Sequence, residues 1–164
     1  MNQRPRLRVQ FDRTDKAIEL IGWTLLVLLW GTTLWHLPTL PETIPTHYNS
    51  LGEPDSFGNK WTILTLPFIA TLIFVGMTVL HHYPHTMNYA MEITDDNAAY
   101  QYTIATRLIR HLKVVIVIVF GLIAYQTIRY AHGETVGLGS WFLPVLLTMI
   151  FVPIISSLIK SSKK

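Results

Sequence analysis

The sequence contains no cysteine, which excludes disulfides and thiolate metal centres. Charge is also scarce. Only 14% of the 164 residues are charged, against about 25% in an ordinary soluble domain. The gaps are long: between Leu20 and Leu51 the only charged residue is Glu42, and between Trp61 and Met91 there is none. Stretches of that length without charge leave no polar face to turn toward water. Also missing are an HExxH pattern, a phosphate-cradling glycine loop, a legible Ser/His/Asp set and a glycosidase-like acid pair, so the chain is expected not to be an enzyme and to carry no cofactor. The net charge of +3 and pI near 9.3 do not indicate nucleic acid. The basic residues flank apolar runs instead of forming one aromatic-interleaved surface.

What is present is four apolar runs near the roughly 20 residues that cross a hydrocarbon core. They are Ala17 to Leu37, Trp61 to Leu80, the shorter Val114 to Ile128 extended by Arg129 and Tyr130, and Trp141 to Ile159. Only helices or closed barrels satisfy the backbone in lipid. Barrel strands alternate in polarity with period two, and these runs do not. The expected fold is therefore an all-α integral membrane protein, a bundle of four transmembrane helices at about 17–37, 61–80, 114–130 and 141–159. Trp23, Trp61, Trp141, Tyr83 and Tyr130 lie near the run ends, as interfacial aromatics do. The first run is long for a signal peptide and lacks a small-x-small cleavage site, so it reads as a retained helix.

Lysine and arginine set the expected orientation. Arg4, Arg6, Arg8, Arg13 and Lys16 precede the first run, Arg107, Arg110 and Lys113 lie in the second connection, and Lys160, Lys163 and Lys164 form the tail. These are eleven of the thirteen basic residues; Lys60 and Arg129 remain for the other side. The positive-inside rule then puts both termini in the cytoplasm and the loop after the first run outside the cell membrane. The expected organisation is a basic segment 1–16, one membrane domain 17–160 and a tail 161–164, with an outer loop 38–60 and a cytoplasmic connection 81–113.

The outer loop, LPETIPTHYNSLGEPDSFGNKW from Leu40 to Trp61, is not slack chain. Pro38, Pro41 and Pro45 hold it extended. ETIPTHY reads as a short edge strand, and Gly52, Pro54, Asp55, Gly58 and Asn59 offer turn chemistry. The sequence predicts an ordered hairpin-like loop that either caps the bundle or binds a ligand. His47, Asn49, Glu53 and Asp55 are its polar candidates. His47, Glu53 and Asp55 are chemically able to hold zinc or calcium, but their spacing matches no standard metal signature, so no metal is expected.

In the second connection, Thr94 reads as an N-cap with Asp95 and Asp96 behind it. A helix from Asp95 to Tyr130 would be about 54 Å long, with Ala98, Tyr102, Ala105, Ile109 and Leu112 on one apolar face. His81, His82 and His85 suit a capping or interfacial role at a helix C-terminus. Among polar residues inside the spans, Glu19 is expected to pair with Lys16 or Arg13, His36 lies near the outer end, and Gln126 is the strongly polar residue of the third span. Pro67, Pro144 and Pro153 are positioned to kink the second and fourth helices.

With these residues laid out, LPETIPTHYNSLGEPDSFGNK resembles the signature of a bacterial membrane family, domain of unknown function sixteen forty-eight. The residues that carry the resemblance are Leu40, Pro41, Ile44, Pro45, His47, Tyr48, Asn49, Gly52, Asp55, Gly58 and Lys60. YPHTMNYAMEITDDNAAYQYTIATRLIRHLK also looks like the family's cytoplasmic connection, so the resemblance covers about residues 17–130. The same domain forms the N-terminal part of Sdp-type immunity proteins, which protect a producing bacterium from its own secreted peptide toxin. As a shorter sequence, this chain is expected to lack their C-terminal half. The resemblance implies a non-enzymatic receptor or immunity-like protein whose outer loop binds a peptide or envelope ligand. His47, Asn49, Gly52, Asp55 and Lys60 are then the candidates for ligand contact or loop ordering. The alternatives are an accessory subunit of a membrane complex and, third, a metal-dependent membrane enzyme. Expected partners are the lipid bilayer and a peptide or membrane protein, with no nucleic acid.

Overall fold

The computed structural model of the chain describes residues 4–162. Lys163 and Lys164 of the basic tail lie outside the described residues. Four helical segments are long and apolar enough to cross a membrane: α1 (Arg13–His36), α2 (Thr65–Leu80) together with the 3-10 turn that precedes it from Lys60, α3 (Ala98–Ala131) and α4 (Phe142–Ser161). The protein is a multi-pass membrane protein with one small hairpin, β1 (Thr43–Tyr48) and β2 (Pro54–Asn59).

The helix starts follow from local chemistry. Asp12 caps α1 in a capping box: its side chain accepts from Asp15 N while Asp15 accepts from Asp12 N, so two otherwise orphaned donors are satisfied. A 3-10 turn, Lys60–Leu64, leads into α2 and is capped by the Asn59 side chain on Trp61 N. Pro67 is the third residue of α2 and Pro144 the third of α4. Neither kinks its helix there, because a first-turn proline has no intrahelical N–H to lose; Pro153 does lie inside α4. The sequence-derived N-cap Thr94 is also displaced. A turn intervenes and α3 starts after Asn97, whose Oδ1 accepts from Thr94 N at 3.0 Å.

The helices do not form an evenly packed four-helix bundle. α3 is the hub and packs against α1, α2 and α4, while α1 and α2 meet less extensively and α4 rests on α3. The central core is Leu26 and Leu29 of α1, Ala70 and Phe74 of α2, and Val117 and Ala124 of α3. Gly22 makes this approach possible: a Cβ there would come within 2.8 Å of the Phe74 ring. Trp30 Nε1 donates to Thr71 Oγ1 at 2.9 Å and ties α1 to α2. α4 joins through Val115, Val119, Leu138 and Phe142.

α3 has 34 residues, about 51 Å at 1.5 Å per residue, close to the expected length. Near its N-terminal end the apolar face is buried only in part. Ala98 and Tyr102 are buried, but Ala105, Ile109 and Leu112 are only half-buried. The fully buried polar positions there are Gln101, Thr106, Arg110 and Lys113. Arg110 and Lys113 are buried because α1 and α2 supply their partners, Asp15, Glu19 and Thr78.

Candidate functional site

Two polar regions sit at opposite ends of the helices: the hairpin between α1 and α2, and a charged cluster at the end that carries the chain termini. The hairpin pairs antiparallel, Thr43 with Asn59, Ile44 with Gly58 and Pro45 with Phe57, and then shifts so that His47 opposes Ser56. Thr46 is the extra residue of a β-bulge. Pro54, Asp55, Gly58 and Asn59, read from the sequence as turn residues, therefore belong to a second strand. The turn itself is built by Asn49, whose Oδ1 accepts from Leu51 N at 2.9 Å and Glu53 N at 3.0 Å.

The hairpin is docked as well as ordered. Ile44 packs with Leu37, Leu40, Ile63 and Ile128. The Tyr48 hydroxyl shares a 2.8 Å hydrogen bond with Thr127 Oγ1 on α3, and burial raises its pKa. Gly52 has φ +78°, and its carbonyl accepts from Leu138 N at 2.7 Å. A Cβ at Gly52 would lie 2.6 Å from the Gly139 backbone, so both the backbone conformation and the space call for glycine. Lys60 Nζ reaches Glu42 Oε1 at 2.9 Å.

Of the five sequence candidates, Asn49, Gly52 and Lys60 are thus engaged in shaping the loop. His47 and Asp55 are brought together across the strands, Nδ1 to Oδ1 at 2.6 Å, and both remain largely exposed. Glu53 turns to Asn49 Nδ2 at 3.2 Å and does not complete a trio with them. Among the described residues no group of three His, Asp or Glu side chains is placed to hold a metal ion. Leu51, Phe57 and Trp61 are also exposed on the hairpin and its exit.

The second region was not read from the sequence. Asp12, Asp15 and Glu19 form a stripe on the start of α1, and Arg107, Arg110 and Lys113 a matching stripe on α3. Arg107 binds Asp12 and also meets Asp15 Oδ1 at 3.3 Å. Arg110 Nη2 donates to Asp15 Oδ1 at 3.0 Å. Lys113 Nζ donates to Glu19 Oε2 at 2.7 Å and Thr78 Oγ1 at 2.8 Å, and lies 4.5 Å from the centre of the Phe74 ring. Glu19 therefore pairs across helices with Lys113 and not with Lys16 or Arg13. The signal that could have revealed this is spacing. Acids three and four apart on one span, and bases three apart on another, each define one helical stripe of one sign.

The histidine trio splits in role. His82 Nδ1 bonds the Thr78 carbonyl at 2.8 Å, near the C-terminal end of α2, which is the expected capping. His81 is buried and stacks on His82 at 4.2 Å, with Phe11 against its other side. Burial, then the positive charges of His82, Lys113 and Arg110, hold its pKa down to about 4.

Residues 24–71 match the model of the family described as Domain of unknown function (DUF1648). The match contains both strands, every residue of the loop motif from Leu40 to Lys60, and the start of α2. It is narrower than residues 17–130, and the charged cluster lies largely outside it. One similar relative is an uncharacterized protein of Archaeoglobus fulgidus, 34% identical over 83 residues, which are 46% of this chain and 45% of the relative. The aligned part is thus less than half of either chain. No solved structure matches.

Proposed function

We propose that the chain is a non-enzymatic receptor or immunity-like membrane protein whose hairpin meets a peptide or envelope ligand outside the cell membrane. The observation that carries this reading is how the polar residues of the hairpin are used. Asn49, Gly52, Lys60 and Tyr48 fix its shape and its seat on α3. That leaves the exposed His47–Asp55 pair as a preorganised surface on a hairpin that also exposes Leu51 and Phe57. A rigid surface loses little conformational entropy when a ligand docks. Alanine at His47 combined with lysine at Asp55 is expected to abolish protection or ligand binding while the protein still inserts and folds. Full retention in that variant removes the hairpin from the mechanism.

The reading requires the termini to be cytoplasmic. Charge supports this: Arg6, Arg8, Arg13 and Lys16 have no acid partner among the described residues, whereas Lys60 and Arg129 are each paired with a local glutamate. The cysteine-free background makes a clean test. Ser56→Cys is expected to react with an impermeant maleimide in intact cells and Ser162→Cys only after lysis; the reverse pattern overturns the orientation. A second reading, an accessory subunit of a membrane complex, is favoured by α4, whose apolar surface is the least covered within the chain. Stoichiometric copurification of another membrane protein in mild detergent, lost on polar substitution of Phe151 and Ile155, would support it over the receptor.

A further inference from the structure

Residues 4–12 cross the termini end as an extended strap before α1. The strap is pinned at both ends. Arg4 Nη1 donates to the Met87 carbonyl at 2.6 Å, and the Tyr102 hydroxyl donates to the Pro5 carbonyl at 3.0 Å. At the other end Asp12 caps α1 and holds Arg107. Between the pins, Arg6, Arg8 and Phe11 face His81, His82 and His85 across a cavity of about 750 Å³.

Three features of this cavity point to an anion. Arg6 and Arg8 line it without a hydrogen bond or an ion pair among the described residues. His81, only 3% exposed, lines it with neither ring nitrogen hydrogen-bonded. Behind His81, the nearest acid oxygen is Glu19 Oε1 at 3.8 Å, while Glu19 Oε2 is taken by Lys113. A buried polar group without a partner is costly. A neutral imidazole still has one N–H to give. Guanidinium groups match the paired oxygens of phosphate. Leu7, Val9 and Tyr83 supply apolar wall beside the end of α2.

We infer that this cavity binds a phosphate-bearing anion, with Arg6 and Arg8 on its oxygens and His81 donating a ring N–H. The chemistry is shared by an anionic phospholipid headgroup and a soluble phosphate. The site stands apart from the hairpin, at the opposite end of the helices, and does not depend on what the hairpin binds. Near His81 lie Arg110 and Lys113, each paired with an acid, and the stacked His82 ring; Glu19 is the acid nearest to it among the described residues.

The test uses the full chain in uncharged maltoside micelles, probed with short-chain phosphatidylglycerol, short-chain phosphatidylcholine and inorganic phosphate. Binding is read by native mass spectrometry and by the ring nitrogen resonances of His81, assigned with His81→Gln. One phosphatidylglycerol is expected to bind per chain and move the His81 resonances. Arg6→Gln with Arg8→Gln should weaken it about tenfold or more, while Arg13→Gln with Lys16→Gln, two cations outside the cavity, should change it about twofold at most. A shift produced by inorganic phosphate but not by the lipid assigns the site to a soluble phosphate. The inference is overturned if no probe moves His81, if phosphatidylcholine binds as well as phosphatidylglycerol, or if the two double variants weaken binding equally.

Discussion

At the hairpin end the His47 and Asp55 side chains pair while 68% and 42% exposed; at the termini end Arg110 and Asp15 pair at 0% and 2%. The distances are similar, yet the energetic meaning differs. An exposed pair is screened by water and contributes little. A buried pair has already lost its hydration, so each partner depends on the other. The hairpin can therefore lose its surface charges and keep its shape, because Asn49, Gly52 and Tyr48 hold it. The termini end cannot, because charge is what joins α1 to α3 there.

The sharpest way to break this contrast is to remove one buried partner. Lys113→Met leaves the largely buried Glu19 carboxylate without its cation and is expected to cost about 3–5 kcal/mol. Adding Glu19→Gln should recover much of that loss. Thermal unfolding in mild detergent reads both; a single variant as stable as wild type would mean the cluster is hydrated and not buried.

Acid should act on the same end. The pKa of His81 is near 4 in the folded protein and ordinarily about 6.5. The unfolded chain therefore takes up the proton first, and stability falls as pH drops from about 6.5 toward 4. The charged and titratable groups facing His81 are His82, Lys113, Arg110 and Glu19, with Arg6, Arg8 and His85 lining the same cavity. Up to about 3 kcal/mol is at stake across that window, and His81→Gln should flatten the pH dependence of unfolding.

At the hairpin end the largest effect should come from the backbone. Gly52→Ala forces a Cβ onto the Gly139 backbone at positive φ and is expected to cost about 2 kcal/mol. Hydrogen exchange should show the hairpin amides losing protection while the α1–α3 contact is kept. Asp55→Ala should be the mildest change, below about 1 kcal/mol. A larger loss of stability from Asp55→Ala would make the pair structural and remove the reason to place it on the ligand surface.

The helices were legible because lipid demands long uncharged runs, and the hairpin because Pro41, Pro45, Asn49 and Gly52 restrict the backbone locally. The roles within the hairpin were less so. Asp55, Gly58 and Asn59 read as turn residues because composition cannot tell a turn from a short polar strand paired across a bulge. Glu19 was assigned to neighbours in its own helix, since the sequence gives no distance to Lys113, 94 residues away. The burial of α3 was not legible either: helical spacing puts Ala98, Tyr102, Ala105, Ile109 and Leu112 on one face, but which side of that face is covered, and that Thr106, Arg110 and Lys113 are buried beside it, depends on where α1 and α2 pack.

By itself the sequence determined that this chain crosses a membrane as helices and carries an ordered hairpin between the first two. Both follow from the solvation of backbone and side chains, which is a local property. The tertiary structure alone decided that α3 is the hub, that the charges of the second connection are buried against α1, and that His81 faces a basic cavity without a partner. Those outcomes depend on which stripes of different helices come into register, and that is a matter of distance in space, not spacing in sequence.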